Sequence, residues 1–197
     1  MSKLKPQKHG LLLVLCGPAG VGKSTISNRL SQQTKIAYLV SATTRTKRPA
    51  DASGKKYDHI TLEEFFRRLD ADEFLEYAQV HGDYYGTPKH PAMELIAGSQ
   101  DVLMEIDVQG ALQVRYQYPD ALLIFILPPD EPTLKQRMQD RGRDTPEEMS
   151  KRFRAAKREI HMAKGSRAFD FYVINDNVDR AVEEIRKIIR HKRGSGM

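Results

Sequence analysis

The segment Gly17-Pro-Ala-Gly-Val-Gly-Lys-Ser24 matches the pattern G-x-x-x-x-G-K-[ST], which specifies two glycines, a lysine and a hydroxyl residue. The apolar run LLLVLC precedes it at 11–16, and Ile26 and Leu30 follow it at helical spacing. A glycine-rich turn between a buried strand and a helix presents backbone N–H groups to an anion, and the helix dipole adds positive potential. The segment therefore predicts a phosphate-binding loop for ATP or GTP.

Each fixed position of this pattern has a role in the expected triphosphate site. Glycine backbones adopt conformations that other residues avoid and approach oxygen atoms closely. Lys23 can bridge the β- and γ-phosphates, and Ser24 can ligate Mg²⁺. The residues predicted to bind ATP here are Gly17, Pro18, Ala19, Gly20, Val21, Gly22, Lys23, Ser24 and Thr25.

Strand-like and helix-like patterns alternate along the chain, which predicts an α/β fold with a parallel sheet flanked by helices. Two stretches, 41–97 and 129–160, interrupt this alternation. We expect them to be insertions at the carboxyl ends of strands, where open α/β sheets bind ligands. Within the first, the sequence predicts a helix opened by a capping box at Thr61–Glu64, a strand at Phe74–Val80 and a hairpin turn at His81–Gly86.

Composition excludes several classes of protein. The chain has 197 residues and one cysteine, Cys16, so it forms no internal disulfide. Its longest apolar run, Ala121–Leu127, is far shorter than the roughly 20 residues of a membrane-spanning helix. The polar N-terminus does not resemble a secretory signal. We therefore expect a cytoplasmic protein with no membrane partner.

The chain carries 32 Lys and Arg against 26 Asp and Glu, a net charge of +6. Nucleic-acid or membrane-surface binding would explain this excess, and so would a small polyanionic ligand such as a nucleotide. A bound triphosphate could serve a switch, a motor or a kinase. The chain has no N-K-x-D motif of the Ras-like switches and is short for a motor, so a small-molecule kinase is favoured.

Further motifs resemble those of the guanylate kinases, in the same order, over residues 10 to about 190. They are Ser41-Ala-Thr-Thr-Arg-Thr-Lys-Arg-Pro49, Gly54-Lys-Lys-Tyr57, Phe74-Leu-Glu-Tyr77, Gly82-Asp-Tyr-Tyr-Gly-Thr-Pro88, Glu105-Ile-Asp-Val-Gln-Gly110, Ile124-Phe-Ile-Leu-Pro-Pro129 and Asn175-Asp176. The resemblance implies transfer of the γ-phosphoryl of MgATP to GMP, with dGMP as a further acceptor. It also implies a P-loop core at 1–40, 98–128 and 161–197, a mixed α/β GMP-binding region at 41–97 and a helical lid at 129–160.

The resemblance assigns the GMP site to Ser41, Arg45, Arg48, Tyr57, Glu76, Tyr85, Gly86, Thr87 and Asp107. Guanidinium groups and tyrosine hydroxyls suit the phosphate of GMP. Guanine presents N–H donors at N1 and N2, whereas adenine has no N1–H. Carboxylates at Glu76 and Asp107 therefore suit guanine, with Ser41 and Thr87 as supporting hydroxyl groups.

The resemblance further implies that Lys23, Arg45, Arg137, Arg141 and Arg152 stabilise the transferring phosphoryl group. Asn175 would contact the adenine of ATP, although its place in the turn before the last helix also suits a helix cap. Ser24, and Glu105 through water, would hold Mg²⁺. Ala19 stands where the family commonly has serine, and one hydroxyl contact is lost there. The oligomeric state stays open between a monomer and a homo-oligomer.

Charge placement favours the small polyanion over nucleic acid. Residues 131–158 hold nine Lys or Arg against five Asp or Glu, and more basic residues lie at 45–48. Two alternatives to a guanylate kinase remain at this point. One is a catalytically inactive guanylate-kinase-like module that binds proteins, and the other is a kinase of another phosphorylated small molecule on the same scaffold.

Overall fold

In the computed structural model of the chain, residues 9–47, 57–80, 82–140 and 145–194 are described. Their elements follow the predicted alternation of strands and helices. In chain order they are β1 (Leu12–Cys16), α1 (Lys23–Gln33), β2 (Ala37–Tyr38), β3 (Ala42–Thr43), β4 (Asp58–His59), α2 (Leu62–Asp70), β5 (Phe74–Val80), β6 (Asp83–Pro88), α3 (Lys89–Ala97), β7 (Val102–Glu105), α4 (Val108–Gln117), β8 (Leu122–Leu127), α5 (Glu131–Gln139), α6 (Pro146–Ser166), β9 (Phe171–Ile174) and α7 (Val178–Gly194).

A five-stranded sheet with the order β2-β7-β1-β8-β9 forms the core, and all of its pairings are parallel. β1 lies at its centre and every residue of β1 is buried. A strand covered by helices on both faces is a continuous apolar run rather than an alternating one, and LLVLC has that character. The predicted α/β class with a parallel sheet is confirmed.

The two faces of β1 belong to two apolar clusters because successive side chains of a strand point to opposite faces. Leu13 and Leu15 join one cluster, which α1 and α7 cover with Ile26, Leu30, Val182 and Ile185. Leu12, Val14 and Cys16 join the other cluster, which α4 and α6 cover with Ala111, Val114 and Ala163. Burial of each of these leucine side chains contributes about 2 kcal/mol.

A second sheet, with the order β4-β3-β6-β5, lies within the predicted GMP-binding region. Its hairpin joins β5 to β6 in antiparallel register, and Phe65 of α2 stacks on Phe74 at 4.8 Å between ring centroids. The predicted turn over His81–Gly86 is wrong from Asp83 onward, since β6 begins there. Pairing with β5 and β3 extends this polar, aromatic segment into a strand. Residue 81 lies outside the described residues.

The predicted lid consists of α5 and most of α6. Thr145 caps α6 in a capping box with Glu148, whose backbone N–H lies 3.2 Å from the Thr145 hydroxyl. α6 runs on to Ser166, past the predicted lid boundary at residue 160, and Ala163 is buried in the core. One helix therefore connects the lid segment to the core, and the division of the chain into three regions stays a prediction. Within the described ranges, no helix is both long and apolar enough to cross a membrane.

Candidate functional site

The predicted phosphate-binding loop lies between the carboxyl end of β1 and the start of α1. Gly20 and Gly22 have φ of 85° and 97°, conformations that side chains disfavour. The Lys23 ammonium folds back over the loop and donates to the carbonyl oxygens of Gly17 and of Pro18, the latter at 3.2 Å. The positive charge therefore lies over the loop at the end of the sheet where phosphate would bind. Thr25, two positions after Lys23, is exposed.

Asn175 supports this loop from the end of β9. Its side-chain amide donates to the Val21 carbonyl at 2.7 Å, and the side chain is buried. A Cβ on Gly22 would lie 2.5 Å from the Asn175 amide nitrogen, so the loop glycine and the asparagine fit each other. Arg137 of α5 donates to the Asn175 carbonyl at 2.9 Å from the same side. Asn177, not Asn175, caps α7, so the capping interpretation of Asn175 is wrong. Its contact with adenine stays a prediction.

Glu105 ends β7 beside α1 and accepts two hydroxyl hydrogen bonds. Ser24 donates to one carboxylate oxygen at 2.9 Å and Ser27 to the other at 2.6 Å. Ser27 is fully buried and was not among the site residues predicted from the sequence. The spacing could have predicted it, because Ser27 follows Ser24 by three residues and therefore lies on the same face of the helix. Glu105 thus orients the hydroxyl that is predicted to ligate Mg²⁺.

Glu76 on β5 is buried and belongs to a chain of hydroxyl groups. The Thr87 hydroxyl donates to Glu76 Oε1 at 2.6 Å, and the Ser41 hydroxyl lies 3.2 Å from that of Thr87. Because the single Thr87 hydrogen goes to the carboxylate, Ser41 is the donor to Thr87. Burial raises the pKa of Glu76 to about 7, and the nearby negative charge of Asp107 contributes to the rise.

Asp107 follows β7 and caps α4, whose Gly110 N–H donates to Asp107 Oδ1 at 2.9 Å. Burial raises the pKa of Asp107, while the Gly110 hydrogen bond and the Lys23 charge oppose the rise. The helix-cap function and the predicted base contact are compatible. The cap engages Oδ1, and the second oxygen, Oδ2, accepts only a long hydrogen bond from the Gln109 side-chain amide at 3.4 Å.

Arg45, Tyr57 and Tyr85 form a further group near the second sheet. The Arg45 guanidinium lies 5.6 Å from the Tyr57 ring centroid, and the Tyr57 and Tyr85 rings meet edge to face at 5.8 Å. Arg45 also donates to the Thr46 carbonyl at 2.9 Å. Gly86 is buried with Phe74, whose ring lies 2.8 Å from where a Cβ would be, so close packing explains this glycine and its contact with GMP stays a prediction. Arg48 and Arg141 lie outside the described residues.

One cleft of about 380 Å³ brings the predicted residues together from both sheets and the lid segment. The predicted residues that line it are Gly17, Ala19, Lys23, Ser41, Arg45, Tyr57, Glu76, Tyr85, Glu105, Asp107 and Arg152. Glu159, which the sequence analysis did not single out, lines it too. Burial raises the pKa of Glu159, and the Lys23 charge opposes that rise. The sequence feature that could have predicted Glu159 is its spacing, since it lies two helical turns after Arg152 on the same helix.

The chain is similar to guanylate kinases in sequence and structure. The family model for guanylate kinase matches residues 9–192. Guanylate kinase of Caldanaerobacter subterraneus subsp. tengcongensis is 45% identical over 184 residues, which cover 93% of this chain and 88% of that protein. That of Clostridium acetobutylicum is 43% identical over 182 residues, 92% of this chain and 86% of the relative.

A solved structure of guanylate kinase from Anaplasma phagocytophilum superposes with a TM-score of 0.77 at 28% identity, covering 94% of this chain and 87% of that one. A shikimate kinase from Bacteroides thetaiotaomicron superposes with a TM-score of 0.52 at 13% identity, a likeness that concerns the fold alone.

Proposed function

The chain belongs to the guanylate kinase family and transfers the γ-phosphoryl group of ATP to GMP, and we propose that the cleft described above holds both reacting groups. The observation that carries this proposal is the composition of the cleft. It has the buried carboxylate of Glu76, the partly buried carboxylate of Asp107, the cationic and aromatic group of Arg45 and Tyr57, and the loop lysine Lys23. The carboxylates suit a guanine base, the Arg45 and Tyr57 group suits a 5′-phosphate, and Lys23 suits a triphosphate.

Guanine binds at the Glu76 end of the cleft in this proposal. The carboxylate accepts from the N1–H and N2–H₂ donors, and Thr87 keeps one of its oxygens oriented at 2.6 Å. AMP lacks the N1–H donor, so its entry leaves a buried acceptor without a partner, which costs about 1–3 kcal/mol or more for a charged group. This loss provides discrimination between the two purines.

The phosphate of GMP binds at Arg45, Tyr57 and Tyr85, where a guanidinium and two hydroxyl groups can donate to its oxygens. A phosphate oxygen is already a competent nucleophile, so the reaction needs no general base. Catalysis then consists of holding the two phosphates in line and stabilising the charge of the transferring group. Lys23 performs this task on the triphosphate side. Arg152 lines the same cleft and contributes from the lid segment.

Magnesium accompanies ATP in this proposal. Among the described residues no cluster of three or more His, Cys, Asp or Glu side chains could hold a metal by itself. Mg²⁺ commonly takes only one or two protein oxygens and completes its coordination with water and substrate phosphates. The hydroxyl of Ser24 and the carboxylate of Glu105, 2.9 Å apart, offer such hard oxygen donors. When bound, the ion would neutralise charge on the β- and γ-phosphates.

The two alternatives from the sequence differ from this proposal in measurable ways. An inactive interaction module would not need Lys23 and Ser24, and both are present in a complete phosphate loop. A kinase of another small molecule would not need the buried Glu76–Thr87 pair. A cytoplasmic location, the absence of nucleic-acid binding and the oligomeric state stay open to experiment.

A coupled ADP-release assay tests the proposed substrate specificity. It uses ATP and Mg²⁺ with GMP, dGMP, AMP, CMP and UMP in parallel. We expect turnover with GMP and dGMP and at least about 10²-fold lower kcat/KM with the other three nucleotides. Equal turnover of AMP and GMP would contradict the role of the carboxylates in reading the base.

The pH dependence of GMP use follows from the raised pKa of Glu76. Only the ionised carboxylate accepts both guanine donors, and the free protein ionises Glu76 near a pKa of about 7. The value of kcat/KM for GMP should therefore rise up to about tenfold per pH unit below that pKa and level off above it.

Steady-state kinetics at GMP concentrations below KM measure this profile. Glu76→Gln is the control. In this variant the rise of kcat/KM near the pKa of Glu76 should disappear, whereas the dependence on the second ionisation of the GMP phosphate, with a pKa of about 6, should remain. The same limb in the Glu76→Gln variant would assign the profile to another group.

Closure of the lid segment is expected on binding of both nucleotides. GMP together with a non-hydrolysable ATP analogue should lower the radius of gyration in solution scattering by on the order of 1 Å, because charged phosphates bring the basic lid segment towards the core. ATP analogue alone and GMP alone serve as comparisons. An unchanged radius with both ligands bound would argue against a mobile lid.

A further inference from the structure

Gly110 occupies the third position of α4, where a glycine is unfavourable for the helix. A glycine is needed here because of Glu76, which belongs to the second sheet. A Cβ on Gly110 would lie 2.2 Å from Glu76 Oε2 and 3.0 Å from Glu76 Cδ. Real side chains do not approach this closely, so no residue except glycine leaves room for the carboxylate in its observed position.

The same glycine also contacts the second carboxylate of the cleft. Its backbone N–H donates to Asp107 Oδ1 at 2.9 Å. Glu76 belongs to β5 in the second sheet, whereas Asp107 follows β7 of the core sheet. Gly110 therefore contacts two acidic groups that come from separate sheets. Its missing side chain leaves room for the Glu76 carboxylate, and its N–H group orients the Asp107 carboxylate.

Hydrogen bonds on both sides restrain the position of Glu76 relative to α4. Gln113, one turn further along α4, donates to the Tyr77 carbonyl at 2.7 Å and accepts from the Tyr77 N–H at 3.2 Å. This pair of hydrogen bonds attaches α4 to β5 at the residue next to Glu76. On the other side, Thr87 holds Glu76 Oε1 at 2.6 Å. A methyl group on residue 110 would therefore have to move the carboxylate rather than the helix.

We propose that Gly110 is a positioning residue for guanine recognition, in which the missing side chain lets the Glu76 carboxylate lie against the start of α4 beside Asp107. The inference rests on the proposed role of Glu76 as the group that reads guanine. Gly110 touches neither nucleotide in this proposal and acts through the two carboxylates. Its effect is therefore on the binding of the base and not on the triphosphate side.

Gly110→Ala in the full-length protein tests this inference. We expect KM for GMP to rise by about tenfold to a hundredfold, since a displacement of about 1 Å at a binding group has effects of that size. KM for ATP should stay within about twofold, and the preference for GMP over IMP, which lacks the 2-amino group, should fall. Gly165→Ala is the matched control, because Gly165 also lies in a helix but a Cβ there meets nothing within 4 Å. This control should leave both KM values unchanged.

A second background separates the contact with Glu76 from a general disturbance of α4. Glu76→Asp shortens the side chain and withdraws the carboxylate from residue 110. Adding Gly110→Ala to Glu76→Asp should then raise KM for GMP much less than in the native background, a non-additive result typical of residues in contact. Should Gly110→Ala alone fail to fold, recovery of a cooperative thermal transition in the double variant supports the same contact, and no recovery overturns it.

Two results would overturn the inference about Gly110. One is an equal rise of the KM values for GMP and ATP, and the other is the same rise in the Glu76→Asp background as in the native one. The proposed function fails differently. If Glu76→Gln leaves KM for GMP unchanged, the base-reading role of Glu76 is wrong. If Glu76→Gln raises it while Gly110→Ala does not, only the inference about Gly110 is wrong.

Discussion

Replacement of Lys23 by methionine should lower kcat by about 10³-fold, which corresponds to about 4 kcal/mol of lost transition-state stabilisation. The Lys23 ammonium lies over the loop backbone, where it donates to the Gly17 and Pro18 carbonyl oxygens. Methionine keeps an unbranched side chain only one atom shorter and removes the charge that would balance the transferring phosphoryl group. Because the loop conformation rests on its glycines and on Asn175, the fold should persist. Steady-state kinetics with GMP and MgATP measure the loss, and thermal unfolding measures the stability.

Lys164→Met is the matched control, since Lys164 is exposed near the end of α6 and outside the cleft. Its kcat should equal that of the native protein. Native turnover in the Lys23→Met variant would contradict the kinase mechanism, because no other described residue offers a cation from within the loop. A variant that lost both turnover and its thermal transition would instead assign Lys23 a structural function.

Glu76→Gln should raise KM for GMP by about 10²-fold, roughly 3 kcal/mol, and leave KM for ATP nearly unchanged. Glutamine is the same size and keeps the Thr87 hydrogen bond through its carbonyl oxygen. Its amide N–H₂, however, meets the N–H donors of guanine, so one acceptor becomes a donor. Parallel measurement of both KM values separates this base-specific effect from general damage, and a proportional rise of both would contradict the base-reading role.

Although Glu76→Gln should weaken GMP binding, it should not lower the stability of the fold. The folded pKa of Glu76, about 7, lies above its ordinary value of 4.5, so the folded state holds the proton more tightly. Stability therefore falls as pH rises between these two values, and the buried charge costs about 3 kcal/mol above pH 7. Glutamine removes this cost, so the variant should unfold at the same or a higher temperature at pH 8. Glu184→Gln, at an exposed position of α7, is the control and should change neither property.

The phosphate loop was predictable because its determinants are local. A buried apolar strand, glycines at positions with positive φ and a helix that begins at Lys23 all follow from neighbouring residues, and the structure has each of them. The alternation of strands and helices is likewise local, and it predicted the parallel sheet. The hairpin strand β6 was harder to predict, since its polar sequence becomes a strand only through pairing with β3 and β5.

The candidate site was predictable as a set of residues but not as a set of contacts. The motifs identified Glu76, Thr87 and Asp107, and the cleft contains Glu76 and Asp107 with Thr87 bonded to Glu76. The partner of Asn175 was not predictable, because Val21 lies 154 residues away along the chain. Asn177 caps α7 because it directly precedes Val178, the first residue of the helix, and accepts from the Asp179 and Arg180 N–H groups.

The sequence by itself determined the phosphate loop, the α/β class and the identity of the residues with suitable chemistry, because backbone conformation and strand or helix pattern depend on residues that are near in the chain. Only the tertiary structure decided how these residues meet. Gly110 illustrates the reason, since its missing Cβ matters solely because Glu76 Oε2 would lie 2.2 Å away. Close packing between distant segments sets such distances, and a carboxylate buried by that packing acquires a pKa that its own sequence neighbours do not confer.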